Sequence, residues 1–196
     1  MSFLAPASRS TRWALFAAGV IGVSALTIWA ASSFGDDGAG APGWDRYDDP
    51  DDGFSVSYPE TWNRAERVLT PALEDPREIL VLGTGPLPAG GDECAQYPEN
   101  AIEALDPGGA LVTIQETGGP LGGRHTIDRP QHFDLSAGYE SDAVECLAED
   151  HSVSSVRMIP FRDGDRSFYA IVALGRSAPA GIHEEARGIL DTLVFE

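Results

Sequence analysis

Arg124, His125, Arg129 and His132 gather guanidinium and imidazole groups in one stretch rich in Gly and Pro. Such groups donate N–H bonds to oxygen, so the cluster suits an anion or an acidic partner. The competing reading is an unengaged surface loop, because long loops in compact domains are either functional or unstructured. Cys94 and Cys146 are the only cysteines. Joined, they would close a loop of about 53 residues, worth roughly 4 kcal/mol in the chain-entropy account. Two buried thiols, or zinc ligation with His151, are the other readings, although Cys-x4-His with an isolated second Cys is not a recognised zinc spacing. The histidines His125, His132, His151 and His183 show no His-x3-His pattern.

Asp48-Asp-Pro-Asp-Asp-Gly53 invites comparison with a calcium loop. Calcium loops place oxygen ligands at alternating positions and a Glu at the twelfth, and no frame here supplies both. The stretch reads as a turn with solvated carboxylates, and Asp163-Gly-Asp165 as a hairpin tip. Gly83-Thr-Gly85 lacks the third glycine, the lysine and the helix of a phosphate loop, and reads as a strand end. The chain contains no lysine. Schiff-base chemistry, a P-loop and a Ser–Lys dyad are therefore excluded. There is no Gly-x-Ser-x-Gly elbow, and neither cysteine sits in a catalytic motif. The residue types thus imply no catalytic set, no cofactor and no metal.

The elements that must position these groups follow from periodicity. Phe54-Ser-Val-Ser-Tyr58 alternates as a half-buried strand, and Pro59-Glu-Thr-Trp62 turns it. Strands are predicted over 64–69 and 78–84, with Ile79-Leu-Val-Leu82 apolar enough to be covered on both faces. Residues 98–105 read as a short helix with Pro in its first turn, closed by Asp106-Pro-Gly-Gly109. Strands follow over 111–116, 144–148, 153–161 and 167–175, with a long loop over 118–134 and a turn at Asp163-Gly164. The clearest helix is 179–193, where Ile182, Ala186, Ile189, Leu190 and Leu193 form one stripe that should pack on a sheet. Gly188 within it costs about 1 kcal/mol against Ala. The predicted class is α+β, a mainly antiparallel sheet with helices packed on it.

Trp13 to Ala31 contains no ionisable residue. At about 1.5 Å per residue it reaches roughly 28 Å, near the thickness of a bilayer's hydrocarbon core. Arg9 and Arg12 precede it, and Trp13 and Trp29 sit near its ends. The positive-inside rule then keeps residues 1–12 cytoplasmic and exports the rest. A signal peptide cleaved after the Ala30-Ala31-Ser32 region, giving a secreted protein, is the alternative. Residues 32–43 read as a flexible linker, and 44–196 as one extracytoplasmic domain. All 31 acidic residues and all but two of the 13 basic ones lie beyond the span. So acidic a domain repels phosphate backbones, which argues against nucleic acid as a partner.

Gly53-Phe-Ser-Val-Ser-Tyr-Pro-Glu-Thr-Trp62 resembles the opening of PsbP/Mog1-like domains, where a strand ends in a Tyr-Pro-x-x-Trp turn. The resemblance implies an α/β/α sandwich whose members mostly bind partners or assist assembly, with Phe54, Val56 and Trp62 in the core. A longer likeness, through Leu69 to Leu87, Cys94 with Pro98-Glu-Asn-Ala101, and Ile159-Pro-Phe-Arg-Asp163, is to a group of actinobacterial single-pass membrane proteins. It implies a secretion context and a shared fold, and no activity. The expected function is a membrane-tethered extracytoplasmic binding or assembly module of the cell envelope, with the bilayer and an envelope protein as partners. The alternative is an envelope enzyme of hydrolase type whose site is assembled only in the fold.

Overall fold

The computed structural model describes residues 41–91, 96–119, 121, 126–141, 145, 147 and 151–196. The apolar segment 13–31, Cys94, Cys146, Arg124 and His125 lie outside these residues. Among the described residues no helix is long and apolar enough to cross a membrane.

Along the chain come β1 (Trp44–Asp49), β2 (Phe54–Pro59), β3 (Asn63–Arg64), β4 (Arg77–Gly83), α1 (Glu99–Glu103) and β5 (Ala110–Thr117). Then follow β6 (Ile127–Asp128), β7 (Tyr139–Glu140), β8 (Val153–Asp163), β9 (Arg166–Gly175), α2 (Ala180–Asp191) and β10 (Val194–Phe195). β1, β2 and β10 form a small antiparallel sheet. The larger sheet runs β3-β4-β5-β9-β8-β6, with β7 also on β8. It is antiparallel except where β6 lies parallel to β8. The class is therefore α+β and rich in sheet.

Period-two alternation decides which face each side chain takes. In β5, Ala110, Val112 and Ile114 join one core, while Leu111 turns to the other. In β9, Phe168, Ala170 and Val172 alternate in the same way with Ile171 and Ala173. The first core lies under α2, whose Ala186, Ile189 and Leu190 are buried, with Leu193 just beyond its end. Phe161 anchors that core edge-on to Phe133 at 5.3 Å and stacked on Phe168 at 5.2 Å. The second core lies under α1, through Ala101 and Ile102. The middle strands are thus covered on both sides, which accounts for the nearly continuous apolar runs of β4, β5 and β9.

Several elements differ from expectation. The strand predicted over 64–69 stops at Arg64, because the Leu69 N–H goes to the Glu78 carboxylate and not to a neighbouring strand. β4 is also irregular between Glu78 and Leu80. β1 escapes periodic reading since its two apolar residues, Trp44 and Tyr47, are three apart. The loop over 118–134 contains β6, too short to leave a pattern. Of the strand expected over 144–148 only Glu145 and Leu147 are described, and neither is in a strand. Gly188 has a packing reason: an added methyl would lie 2.9 Å from the Trp44 ring.

Gly175 marks a tighter approach. A methyl there would overlap the carbonyl oxygens of Asp106 and Pro107, in a turn already tied by Gly175 N–H to Gly109 O at 2.9 Å. The overlap is with backbone, so relief requires moving a strand end. Gly175→Ala is expected to cost about 2 kcal/mol, within the usual overpacking range. A lowered urea midpoint at unchanged slope would report it.

Candidate functional site

The Pro59–Trp62 turn directs the chain onto the edge of the larger sheet. Trp62 is buried as a core residue, like Phe54 and Val56, and its indole N–H donates to Glu185 on α2 at 2.7 Å. Asn63 and Arg64 then pair with Gly83 and Leu82, and the Asn63 amide donates to Gly85 O at 3.0 Å. Ala65 N–H reaches Val81 O at 3.0 Å, after which the chain leaves the sheet as a strap over 65–70. Arg64 folds back with its guanidinium 3.9 Å from the Tyr47 ring centre, a cation–π contact.

The strap separates two depressions. On one side is an open groove of about 920 Å³, with Arg64, Arg67, Thr84, Pro86 and Asp106 among its lining. On the other is a smaller hollow of about 180 Å³ that meets Tyr47, Asp49, Asp52 and Glu78. The residues from Arg64 to Arg67 line both. Arg64, Glu66, Arg67 and Asp106 put charge of both signs into the groove, a lining suited to polar ligands more than to a small apolar molecule.

Glu78 is the unusual group here. Its residue is 8% exposed, and the carboxylate accepts from Leu69 N–H at 2.6 Å and from the Thr70 hydroxyl at 2.9 Å. Burial pushes its carboxyl above the ordinary value, against the opposing pull of those hydrogen bonds. Nearby, the Tyr47 hydroxyl donates to Asp49 at 2.8 Å. That bond holds Asp49 below the usual carboxylate range and raises the Tyr47 phenol.

The cationic residues singled out from sequence take other positions. Arg129 donates to Leu193 O and lies 3.6 Å from Asp163. His132 Nδ1 is 3.1 Å from Asp191, whose other oxygen accepts the Phe133 N–H at 2.6 Å. Both side chains therefore face acceptors of the chain itself, around the end of α2. Arg124 and His125, the other members of the cluster, lie outside the described residues, as do Cys94 and Cys146.

The Asp48–Gly53 stretch is the β1–β2 connection. Asp49 caps the N–H groups of Asp51 and Asp52, each at 3.1 Å, and Gly53 takes φ +59°. Among the described residues no three His, Cys, Asp or Glu side chains converge as a metal site would require. Gly83 ends β4, as expected.

Arg166 was not visible as important in the sequence. It donates to Glu116 at 2.8 Å, to Gly53 O at 2.9 Å and to Asp52 O at 2.8 Å, joining the β8–β9 hairpin to the β1–β2 turn. Its guanidinium also lies 5.1 Å from the Phe168 ring and 5.3 Å from that of Phe195. Glu116, which also binds Arg77 at 2.6 Å, is pushed up by burial and pulled down further by the two arginines, so its net shift is downward.

The chain matches no known protein family, no curated protein and no solved structure in the comparisons made.

Proposed function

We propose that this chain is a membrane-tethered binding or assembly module of the cell envelope, held by residues 13–31 with residues 44–196 outside the cytoplasm. The observation that carries the reading is the open charged groove beside the 65–70 strap, wide enough at about 920 Å³ for an extended segment of another protein. Helices on both faces of the larger sheet favour an α/β/α sandwich of the PsbP/Mog1-like kind. A linkage between Cys94 and Cys146 belongs to the same proposal, since an exported pair meets an oxidising compartment. It is supported by the residues beside them: Tyr97 and Leu147 pack in one cluster, and the Tyr97 and Ser141 hydroxyls are 2.5 Å apart.

The test places a photo-crosslinking residue at Arg67 in the full chain, in intact cells. A control carries it at Glu184, on the exposed side of α2. Reproducible adducts with one envelope protein at position 67 and none at position 184 are expected. Equal labelling at both positions, or none at 67, removes the groove as a binding face. A reporter fused after Glu196 tests the compartment separately, and activity confined to the cytoplasm would remove the tethered arrangement.

A further inference from the structure

We propose that the 65–70 strap is a proton-controlled gate on the edge of β4, closed while the Glu78 carboxyl is protonated and released when it ionises. Release would join the groove to the hollow and bare the outer edge of β4. The gate stands on the position of Glu78 and does not depend on the groove binding an envelope partner.

Glu78 is more than nine-tenths buried, and among the described residues its hydrogen-bond partners, Leu69 and Thr70, both belong to the strap. Among the described residues no cation is bonded to it. The charged and titratable groups around the hollow are Tyr47, Asp49 and Asp52 from β1 and its turn, with Arg64, Glu66 and Arg67 from the strap side. Across the sheet, β5 places neutral Gln115 opposite Glu78, and that amide is engaged with Gln96 O at 2.7 Å. Asp49 is held low by Tyr47. It therefore stays ionised above the ordinary carboxylate range and takes up no proton there.

An ionised carboxylate without a cation is costly to keep from water. Lifting the strap hydrates it. Protonated, the same carboxyl still fits the closed form, its carbonyl oxygen accepting from Leu69 N–H and its hydroxyl donating to Thr70 Oγ1. Linkage sets the sign. The closed form holds the Glu78 proton more tightly than the open, hydrated form does. Closing is therefore favoured as pH falls toward the ordinary glutamate value, and opening is favoured as pH rises toward the elevated one. Among the described residues the strap's other ties are Ala65 N–H to Val81 O, Gly90 N–H to Leu69 O and Leu73 N–H to Thr70 O, each at 3.0 Å, Arg64 Nη1 to Ala65 O at 3.2 Å, and the buried Leu69 side chain.

Amide hydrogen exchange on the full chain reads the gate directly, after correction for the intrinsic dependence of exchange on pH. Protection at Ala65, Leu69 and Gly90 should fall with rising pH across that window, by up to tenfold per unit for one proton released. Amides of β9 should keep theirs. Glu78→Gln, which cannot ionise, should give flat strap protection. A flat wild-type profile, or the same slope in Glu78→Gln, overturns the gate. Should the variant not fold, the Glu78 side-chain carbon is titrated by NMR in the wild type. A midpoint coinciding with the loss of strap protection supports the gate, and one elsewhere refutes it.

Discussion

Replacing Cys94 and Cys146 together by Ser is expected to lower the unfolding free energy of the domain over residues 44–196 by about 4 kcal/mol. Linking the two cysteines would close a loop of about 53 residues, and that loss of freedom in the unfolded chain is the source of the effect. The loop carries the cover of the second core, including Tyr97, Ala101, Ile102 and Leu105. Once unfolded, an unlinked chain gives this whole segment back to solvent and to conformational entropy. Urea denaturation of the full chain, with and without reductant, checks the proposal. Reductant should bring the wild type to the midpoint of the double variant and leave the variant unmoved. Coincident midpoints before reduction would mean that the two sulfurs are not joined.

Arg166→Met is expected to cost about 3 kcal/mol, at the low end of the penalty for removing one partner of a buried ion pair, because this pair is only partly buried. The thioether keeps the packing against Phe168 and Phe195 but strands the carbonyl of Asp52, leaves that of Gly53 to the Glu196 N–H, and leaves Glu116 with Arg77 alone. Arg166→Lys should recover part of the loss, since a point charge cannot reproduce the forked geometry. The variant also alters the response to acid. Glu116 is depressed in the folded protein, so its stabilisation is present above the ordinary glutamate value and disappears as pH falls through the depressed one. In Arg166→Met that acid sensitivity should shrink, and this can be read from urea midpoints across the range below the ordinary value. An undiminished acid response would show that Arg166 does not govern Glu116.

These two sites differ in how much of them could be seen in the sequence. The cysteines declare themselves by type and count, and the charge asymmetry around residues 13–31 is what raises the expectation of an oxidising compartment for them. Arg166 is one arginine among many beside a hairpin turn. Its role depends on the β1–β2 turn arriving beside β9, which no local pattern records. Glu78 is an intermediate case. It is the one ionisable residue at the head of the apolar run Ile79-Leu-Val-Leu82, a signal of strand onset that concealed a buried carboxyl. The cluster Arg124, His125, Arg129 and His132 illustrates the opposite problem. Closeness in sequence suggested one site, yet Arg129 and His132 turn toward acceptors at the end of α2.

Local periodicity by itself determined the strands β2, β4, β5, β8 and β9, the helix α2 and the α+β class, because side chains facing a core must repeat with the backbone that carries them. The core role of Phe54, Val56 and Trp62 was implied by the resemblance of the Gly53–Trp62 stretch, and all three are buried. What tertiary structure alone decided was the fate of polar groups whose partners are distant along the chain. The strap ends β3 early because Glu78 outcompetes a strand for Leu69 N–H, and Gly175 is glycine because the 106–107 turn presses against it. Such pairings are set by which surfaces meet, and hydrophobic pattern specifies only that they are buried.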